Sequence, residues 1–301
     1  MQVSIDPTSG FCWGVVRTVQ IAEQYLADGS GRPLYVLGNI IHNPREIERL
    51  RSKGLTTITH EDIEGLAGSD ARVLIRAHGE PPATYRQAFK AGVELIDATC
   101  PVVTKLQERV RKFYDDDFQV VVFGKRDHAE VKGVRGVCND ECIVVKTVDE
   151  AMSQVDLDRP TVLFSQTTMD RPTFLAVRDA LKQRISELVV DSHENIALEF
   201  HAKDTICGQV SGREDKLAAY AADNDVIVFV AGRESSNGKV LFNVAKDANP
   251  RTHFIEDIGE MQDEWFEGAQ KVGISGATST PHWLMQNVRD AIETRFSYQT
   301  V

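Results

Sequence analysis

The chain has 301 residues, of which 42% are hydrophobic and 26% are charged, so it is long enough for about two conventional domains or three small ones and is not disordered. Its 34 Lys and Arg residues against 45 Asp and Glu residues give a net charge of −11, which argues against binding to nucleic acid or to an anionic membrane surface. The longest apolar run, residues 226–231, is far shorter than the roughly 20 residues of a membrane helix. The first ten residues have neither a basic start nor an apolar core, so we expect a cytoplasmic protein without a signal peptide.

Short apolar runs rich in β-branched residues alternate with helical patterns along the whole chain. Continuous apolar runs that each precede a helix-length segment are typical of parallel strands buried on both faces. The sequence therefore predicts an α/β fold. The predicted strands cover residues 33–39, 71–77, 119–124, 161–166, 225–232 and 271–276.

Apolar residues at helical spacing mark three helices most clearly. The third of these begins at Pro281, where proline is well tolerated in a first turn. The residues that carry the three patterns are Val15, Val19, Ala22 and Leu26, then Val103, Leu106, Val110 and Phe113, and finally Leu284, Val288 and Ile292.

One isolated cysteine falls at or near the start of each third when the chain is divided near residues 100 and 203. We predict three α/β subdomains, residues 14–100, residues 101–203, and residues 204–301 together with 1–13. Each third holds two predicted strands, and polar residues follow every one of them, in NIIHN, RAHGE, GKRDHAE, SQTT, GRESSNG and SGATSTP. Because ligands bind at the carboxyl ends of parallel strands, we expect three small, mainly parallel sheets to face one shared site.

The five cysteines are an odd number without a secretion signal, so a disulfide framework is not expected. Cys12, Cys100 and Cys207 each directly precede a predicted helix, where backbone N–H groups and the helix dipole stabilise a thiolate. The pattern that follows Cys207 is carried by Val210, Leu217 and Tyr220. They are either buried structural cysteines or a shared metal centre. Three thiolates suit an iron–sulfur cubane with one open iron, or a zinc ion with an open position. Cys138 and Cys142 have no second pair to complete a metal site, and we expect them to be turn cysteines without a function.

Three histidines follow predicted strands and precede helix-start signals. A single histidine in such a place is more often a structural hydrogen-bonding group. His42, His78 and His128 together point instead to an anionic ligand, since imidazoles donate hydrogen bonds and can carry charge near neutral pH. The remaining five, for which we expect surface or local structural roles, are His60, His193, His201, His253 and His282.

Two clusters of hydroxyl and amide side chains open helices in the last third of the chain. One is Ser235, Ser236 and Asn237, and the other spans residues 278–281 and includes Ser279. Capping explains one Ser or Thr at each place. The additional hydroxyl and amide side chains fit phosphate binding at helix N-termini, although neither segment has the sequence of a loop that binds nucleoside triphosphates.

Two further strand ends carry candidate catalytic groups. Thr167 and Thr168 end a predicted strand, where they either cap a helix or contact a ligand. Glu130 lies two residues after His128. A surface carboxylate is the default interpretation of any Glu, but this position also makes Glu130 the best candidate proton donor in the chain.

Eight motifs, in this order and at these spacings, closely resemble those of the 4-hydroxy-3-methylbut-2-enyl diphosphate reductase family, the last enzyme of the methylerythritol phosphate route to isoprenoids. The resemblance spans roughly residues 3–290, and the motifs are GFCWGV, IIHNP, AHGE, DATCP, HAEVKG, SQTT, SSNGKV and GATSTP. It implies a trefoil of three α/β subdomains around a central 4Fe-4S cluster with three cysteine ligands and one open iron. It also implies reductive dehydroxylation of an allylic diphosphate to isopentenyl and dimethylallyl diphosphates, and a low-potential electron donor such as ferredoxin or flavodoxin.

Matching the motifs residue by residue gives each candidate a role by resemblance. Cys12, Cys100 and Cys207 would be the cluster ligands. Glu130 would supply protons, with Thr167 close to the substrate hydroxyl and His128 beside them. The substrate-binding residues would be His42, His78, His128, Thr168, Ser235, Ser236, Asn237 and Ser279.

The chain departs from the family pattern at one place, where Gly212-Arg213 stands in a segment that often carries an Asn-Arg pair. Two other functions compete with the resemblance. Quinolinate synthase and similar three-cysteine trefoil enzymes act on carboxylates, and the Ser, Asn and His donors of a diphosphate site argue against them. An iron–sulfur sensor or electron carrier would need a closed cluster with four ligands, and no fourth cysteine has the right setting.

Overall fold

The computed structural model describes residues 1–191 and 199–296, and it describes residues 188–191 by their backbone alone. Twelve strands occur in these ranges, and six of them coincide with the predicted apolar runs. The strands are β1 Gln2–Ile5, β2 Leu34–Leu37, β3 Thr56–Ile58, β4 Arg72–Ile75, β5 Glu94–Asp97, β6 Gln119–Phe123, β7 Ile143–Val145, β8 Thr161–Ser165, β9 Phe200–Lys203, β10 Val226–Val230, β11 Thr252–Ile255 and β12 Lys271–Gly276.

Eleven α-helices connect these strands within the described ranges, together with short 3-10 turns. They are α1 Trp13–Leu26, α2 Pro44–Ser52, α3 Pro82–Ala91, α4 Pro101–Asp115, α5 Ala129–Val137, α6 Val148–Gln154, α7 Arg171–Asp191, α8 Gly208–Ser211, α9 Glu214–Ala222, α10 Ser236–Ala248 and α11 His282–Phe296. No helix among the residues described is long and apolar enough to cross a membrane.

The strands form three four-stranded sheets, with the orders β1-β12-β10-β11, β3-β2-β4-β5 and β7-β6-β8-β9. Neighbouring strands run parallel, as where Val226 of β10 lies opposite Val272 of β12 and Val120 of β6 lies opposite Val162 of β8. The predicted α/β fold with small parallel sheets is confirmed.

All six predicted strands are central strands, and all six strands that the sequence did not reveal are sheet edges. Every residue of β6, β8 and β10 is buried, which produces the continuous apolar runs. The edge strand β9 is half-buried throughout, and two of the three residues of β3 are exposed. Each sheet therefore has four strands, where the sequence indicated two.

The described chain clusters into two compact units, each with its own core. Unit 1 is Met1–Thr57 with Gly208–Val301, and unit 2 is Ile58–Cys207. In unit 1, β10 and β12 pack against α11 through residues such as Val228 and Met285. In unit 2, β6 and β8 pack against α4 and α5. The boundaries near residues 100 and 203 stay a prediction.

The three isolated cysteines precede helices of unequal length. Cys12 precedes the 14-residue α1, and Cys100 precedes the 15-residue α4 with Pro101 in its first turn. Cys207 precedes α8, which has only 4 residues, and the pattern carried by Leu217 and Tyr220 belongs to the separate helix α9. Cys207 therefore directly precedes a helix, as predicted, but the pattern of Val210, Leu217 and Tyr220 is divided between two helices, and the helix dipole beside Cys207 is weaker.

Candidate active site

Each of the three isolated cysteines is held by the same backbone hydrogen bond. Its N–H donates to the carbonyl of the residue two positions beyond a central strand. The cysteine itself follows the neighbouring edge strand of the same sheet. The three bonds are Cys12 to Thr278 (3.1 Å), Cys100 to Ala77 (3.0 Å) and Cys207 to Thr167 (2.9 Å). This arrangement recurs once per sheet and leaves each partly buried thiol free of a disulfide.

The thiol of Cys100 lies in unit 2 among groups that disfavour an isolated thiolate. Burial raises its pKa, and the negative charges of Cys207 and Glu130 raise it further. The backbone N–H groups of Val102 and Val103 donate to its sulfur and partly offset this effect. A bound cation would reverse the balance, because a coordinating thiol loses its proton outright.

Glu130 is a buried carboxyl group held by one threonine. It is 1% exposed. The backbone N–H of Thr167 donates to Oε1 and the hydroxyl of Thr167 donates to Oε2, both at 2.7 Å. Burial raises the pKa of Glu130 to about 7, and the two bonds from Thr167 keep it from rising further.

Thr167 connects this carboxyl group to a cysteine. Its N–H and hydroxyl bind Glu130, while its carbonyl accepts the N–H of Cys207. An N–H group cannot accept a proton, so Oε1 stays an acceptor. When Glu130 is neutral its proton therefore resides on Oε2, and it donates to the hydroxyl of Thr167, which can then donate its own proton onward.

Two imidazoles lie together in unit 2. The rings of His78 and His128 are 5.2 Å apart and nearly perpendicular. His128 caps α5, and its Nδ1 accepts the backbone N–H of Glu130 at 3.2 Å. This bond assigns the proton of a neutral His128 to Nε2, which makes Nε2 a donor. Gly79, at φ +69°, forms the turn after His78, and a Cβ there would lie 3.0 Å from the Gln107 side chain.

Polar side chains from two strand ends converge in unit 1. Ser235 caps α10, and its hydroxyl oxygen accepts the N–H of Gly238 at 3.0 Å. The hydroxyl of Ser279 lies 3.3 Å from that of Ser235. Asn237 accepts the N–H of Thr278 on Oδ1 at 2.9 Å, which fixes its amide. Its Nδ2 is buried and has no hydrogen-bond partner among the described residues.

His42 joins this cluster through its backbone. The hydroxyl of Ser279 lies 3.5 Å from the His42 carbonyl, and a Cβ on Gly232 would lie 2.1 Å from the same oxygen. Only a glycine permits this approach. Ser236 begins α10 and is buried, and the first turn of α10 contains no acidic residue. The cluster therefore offers neutral donors at a helix N-terminus, which suits an anion.

Several other residues make local contacts. The hydroxyl of Thr168 accepts a bond from Gln166 at 2.8 Å, within its own turn. His60 bonds to the buried Glu80 at 2.6 Å, and the His253 ring stacks on Trp265. His193 lies outside the described residues.

Cys138 and Cys142 lie in the core of unit 2, away from the other thiols in sequence and setting. Both are buried among residues of α4, β6 and β8. Hydrogen bonding to Cys138, together with burial, raises the pKa of Cys142. Buried thiols of this kind pack as small apolar side chains.

Three contacts made by backbone groups were not predicted from the sequence. Thr278 binds Cys12 through its carbonyl and Asn237 through its N–H. Arg213, where the chain departs from the family pattern, donates to the carbonyl of Gly10 at 2.6 Å, two residues before Cys12. The hydroxyl-rich segment 278–281 is visible in the sequence. The contacts of Thr278 are made by its backbone carbonyl and N–H, which every residue type except proline has, so the residue type does not predict them.

Comparison with known proteins gives matches over almost the whole chain. A family model described as LytB protein matches residues 3–293. A protein of Chloroherpeton thalassium named 4-hydroxy-3-methylbut-2-enyl diphosphate reductase is 47% identical, over 99% of this chain and 98% of that protein. A protein of Bacteroides fragilis with the same name is 43% identical, over 99% of this chain and 100% of that protein.

Solved structures agree with these relatives. A structure titled (E)-4-hydroxy-3-methyl-but-2-enyl diphosphate reductase, the terminal enzyme of the non-mevalonate pathway, is 33% identical, with a TM-score of 0.70 over 97% of this chain and 99% of that one. The E-1-hydroxy-2-methyl-but-2-enyl-4-diphosphate reductase of Plasmodium falciparum has a TM-score of 0.84 at 23% identity, over 97% of this chain and 87% of that one. The second likeness concerns the fold alone.

Proposed function

This chain belongs to the LytB family, and we propose that it reduces 4-hydroxy-3-methylbut-2-enyl diphosphate to isopentenyl and dimethylallyl diphosphates. Each turnover takes up two electrons and two protons, breaks the allylic C–O bond and releases water. The observation that supports this most strongly is the bonding of Thr167, which joins a buried acid, Glu130, to the backbone of Cys207.

We infer that Cys12, Cys100 and Cys207 hold a 4Fe-4S cluster in which one iron has no cysteine ligand. The donor set fits: three thiols share one backbone setting, and the sulfur of Cys100 accepts two N–H bonds of the kind that stabilise cluster sulfurs. The other two cysteines are packed into a core. When bound, such a cluster would supply single electrons and a Lewis-acid position, whereas zinc would supply only the latter.

Glu130 and Thr167 would deliver the proton that turns the hydroxyl into a leaving water. With a pKa of about 7, Glu130 keeps a substantial protonated fraction near neutral pH. Its Oε2 proton passes to Thr167 Oγ1, and the Thr167 hydroxyl proton passes to the substrate oxygen. A hydroxyl group can exchange donor and acceptor roles in this way without moving its oxygen.

The neutral donors would bind the diphosphate, which does not react. Ser235 keeps a donor proton because its oxygen already accepts the N–H of Gly238, and Asn237 presents its buried Nδ2. The remaining residues of the proposed substrate-binding set are His42, His78, His128, Thr168, Ser236 and Ser279. Binding energy gained at the diphosphate can then position the reacting carbon.

The test is anaerobic purification followed by three measurements: bound iron, visible absorption, and turnover of the allylic diphosphate with reduced methyl viologen. We expect an iron–sulfur chromophore and the formation of both isomeric diphosphates. An iron-free protein that reconstitution cannot load, or a loaded protein without turnover, would overturn the proposal.

A further inference from the structure

The proposed reaction needs electrons that the chain itself cannot store for repeated turnover. The sequence contains no G-x-G-x-x-G motif for a bound dinucleotide. We propose that a small acidic one-electron carrier protein docks on the exposed side of α4, at a basic stripe formed by Lys105, Arg109 and Lys112. This inference rests on the proposed function.

The basic stripe lies on the exposed side of α4, and the opposite side of this helix packs into the hydrophobic core. Its three members are spaced at i, i+4 and i+7 and are exposed. None of them has an ion-pair partner among the residues that the structure describes. The buried side consists of Val103, Leu106 and Val110. The three cations are therefore available to a partner.

The basic stripe begins close to Cys100, which caps α4. At a rise of about 1.5 Å per residue, Lys105 lies roughly 7.5 Å and Arg109 roughly 13.5 Å along the helix axis from Cys100. Val102 is 40% exposed, an unusual exposure for a large apolar side chain in this protein, and its N–H donates to the Cys100 sulfur. An apolar contact beside a charged rim is the usual composition of a protein interface.

The negative charge of the whole chain directs an acidic carrier toward the basic stripe. The chain carries a net charge of −11, so most of its surface repels an acidic protein. Glu108 is an exposed acid beside the stripe, and the three cations outweigh its charge. A net cationic stripe on such a surface orients an acidic carrier and accelerates its association. The adjacent Arg111 contributes less, because it pairs with Asp115 on the same helix.

A second exposed surface of unit 2 serves as the rival. Phe89 on α3 is 86% exposed and lies between the exposed Arg86 and Lys90. The cap of α3 is Pro81, not a cysteine, so no proposed sulfur ligand stands at the start of this helix. Arg86 and Lys90 are spaced at i and i+4, as are Lys105 and Arg109. A double substitution at Arg86 and Lys90 is therefore a matched control.

The electron balance of the docked reaction is simple. Two reduced carriers are oxidised by one electron each in successive encounters. The substrate C–O bond breaks, one proton joins the hydroxyl oxygen, which leaves as water, and the second proton and the two electrons form the new C–H bond. The carrier must therefore bind and dissociate twice per turnover, which favours a small, salt-sensitive interface.

The experiment compares Lys105→Glu/Arg109→Glu with Arg86→Glu/Lys90→Glu, using a reduced acidic ferredoxin and, separately, reduced methyl viologen. In the α4 variant we expect kcat/KM for ferredoxin to fall about 10- to 100-fold at low salt, as expected for lost electrostatic steering. The difference should shrink toward 1 M salt, where the Debye length is about 3 Å. Viologen turnover should be unchanged, and the α3 variant should behave as wild type with both donors.

Unchanged ferredoxin kinetics in the α4 variant would overturn the docking site, as would a loss confined to the α3 variant. If charge reversal lowers viologen turnover as well, Lys105→Gln/Arg109→Gln decides, with a smaller loss of about 3- to 10-fold expected for ferredoxin alone. Absence of viologen turnover in the wild type would instead contradict the proposed function, so the two failures are distinguishable.

Discussion

The pKa of Glu130 is raised because the carboxyl group is removed from water, and the two hydrogen bonds from Thr167 partly offset this rise. A carboxyl group with a pKa of about 7 can act as an acid near neutral pH, whereas one in water is almost fully ionised. The motif HAEVKG indicated an acid at this position, but its burial and its bonds to a threonine 37 residues away depend on the fold.

Glu130→Gln should abolish proton delivery while preserving both bonds to Thr167. We expect turnover with reduced viologen to fall about 100-fold or more, the usual range for loss of a general acid. Bound iron and visible absorption should match wild type. In the wild type, kcat should decline above about pH 7 as Glu130 loses its proton. Near-normal turnover of the variant would remove Glu130 from the mechanism.

The same substitution should stabilise the folded protein in a pH-dependent way. The pKa of Glu130 is raised from 4.5 to about 7, so the folded state holds a proton that the unfolded state releases. Below pH 4.5 both states are neutral; above pH 7 the wild type bears the cost of a buried charge, up to about 3 kcal/mol. We expect Glu130→Gln to raise the Tm at pH 8 and to match the wild type near pH 4.5. Equal Tm values at both pH values would contradict the raised pKa.

Asn237 and Ser279 test the orientation of the substrate. Each donor to a charged oxygen contributes roughly 1.5–3 kcal/mol, so Asn237→Ala or Ser279→Ala should weaken diphosphate binding about 10- to 100-fold. Pyrophosphate, which has no hydroxyl group, should lose inhibitory strength in parallel with the loss of substrate affinity. Unaltered pyrophosphate inhibition together with weaker substrate binding would mean that these residues contact the alcohol end. The visible spectrum of the cluster serves as the control, and it should be unchanged.

At the scale of elements, the sequence predicts central strands well and edge strands poorly. A strand buried on both faces is apolar at every position, as in VIVFV of β10. Edge strands such as ELID of β5 alternate or expose polar residues, and they resemble loops when they are only four residues long. The polar strand ends were found because they directly follow the central strands.

The break between the two helices that follow Cys207 was not predicted, for a related reason. Val210, Leu217 and Tyr220 fit one helical face, but α8 ends at Ser211 and α9 starts at Glu214. Gly212 turns the chain between them, where a Cβ would lie 2.6 Å from the Gly208 carbonyl oxygen. Periodicity alone cannot detect a break that preserves the phase of the apolar face.

Gly232 tests whether the loop after β10 must contact the backbone of His42. In Gly232→Ala the new Cβ would lie 2.1 Å from the His42 carbonyl oxygen, so one of the two segments must shift. We expect a lower Tm and weaker pyrophosphate inhibition. Gly65→Ala, where nothing lies within 4 Å of the new Cβ, is the matched control and should behave as wild type. Wild-type pyrophosphate inhibition in Gly232→Ala would separate this contact from anion binding.

At the scale of the whole molecule, one arrangement recurs in all three sheets. A cysteine follows the edge strand, and its N–H binds a carbonyl two residues beyond the adjacent central strand. The sequence identified the cysteines and their number. It could not identify the carbonyl partners, since Cys12 and Thr278 are brought together only by the pairing of β1 with β12.

This recurrence supports the proposal that Cys12, Cys100 and Cys207, and no other cysteines, hold one cluster. Cys12 belongs to unit 1, whereas Cys100 and Cys207 belong to unit 2. Cys138 and Cys142 lack the backbone bond to a strand-end carbonyl and are buried in a core. A substitution of Cys12, Cys100 or Cys207 should therefore remove the proposed cluster, whereas a substitution of Cys138 or Cys142 should leave it in place.

The most direct measurement is bound iron per chain, with visible absorption, after anaerobic reconstitution of the five single Cys→Ser variants. We expect the wild type, Cys138→Ser and Cys142→Ser to bind about four irons, the content of one cubane. Cys12→Ser, Cys100→Ser and Cys207→Ser should each lose most of that iron and the chromophore. A full cluster in Cys12→Ser, or a lost cluster in Cys138→Ser with its fold intact, would contradict the assignment.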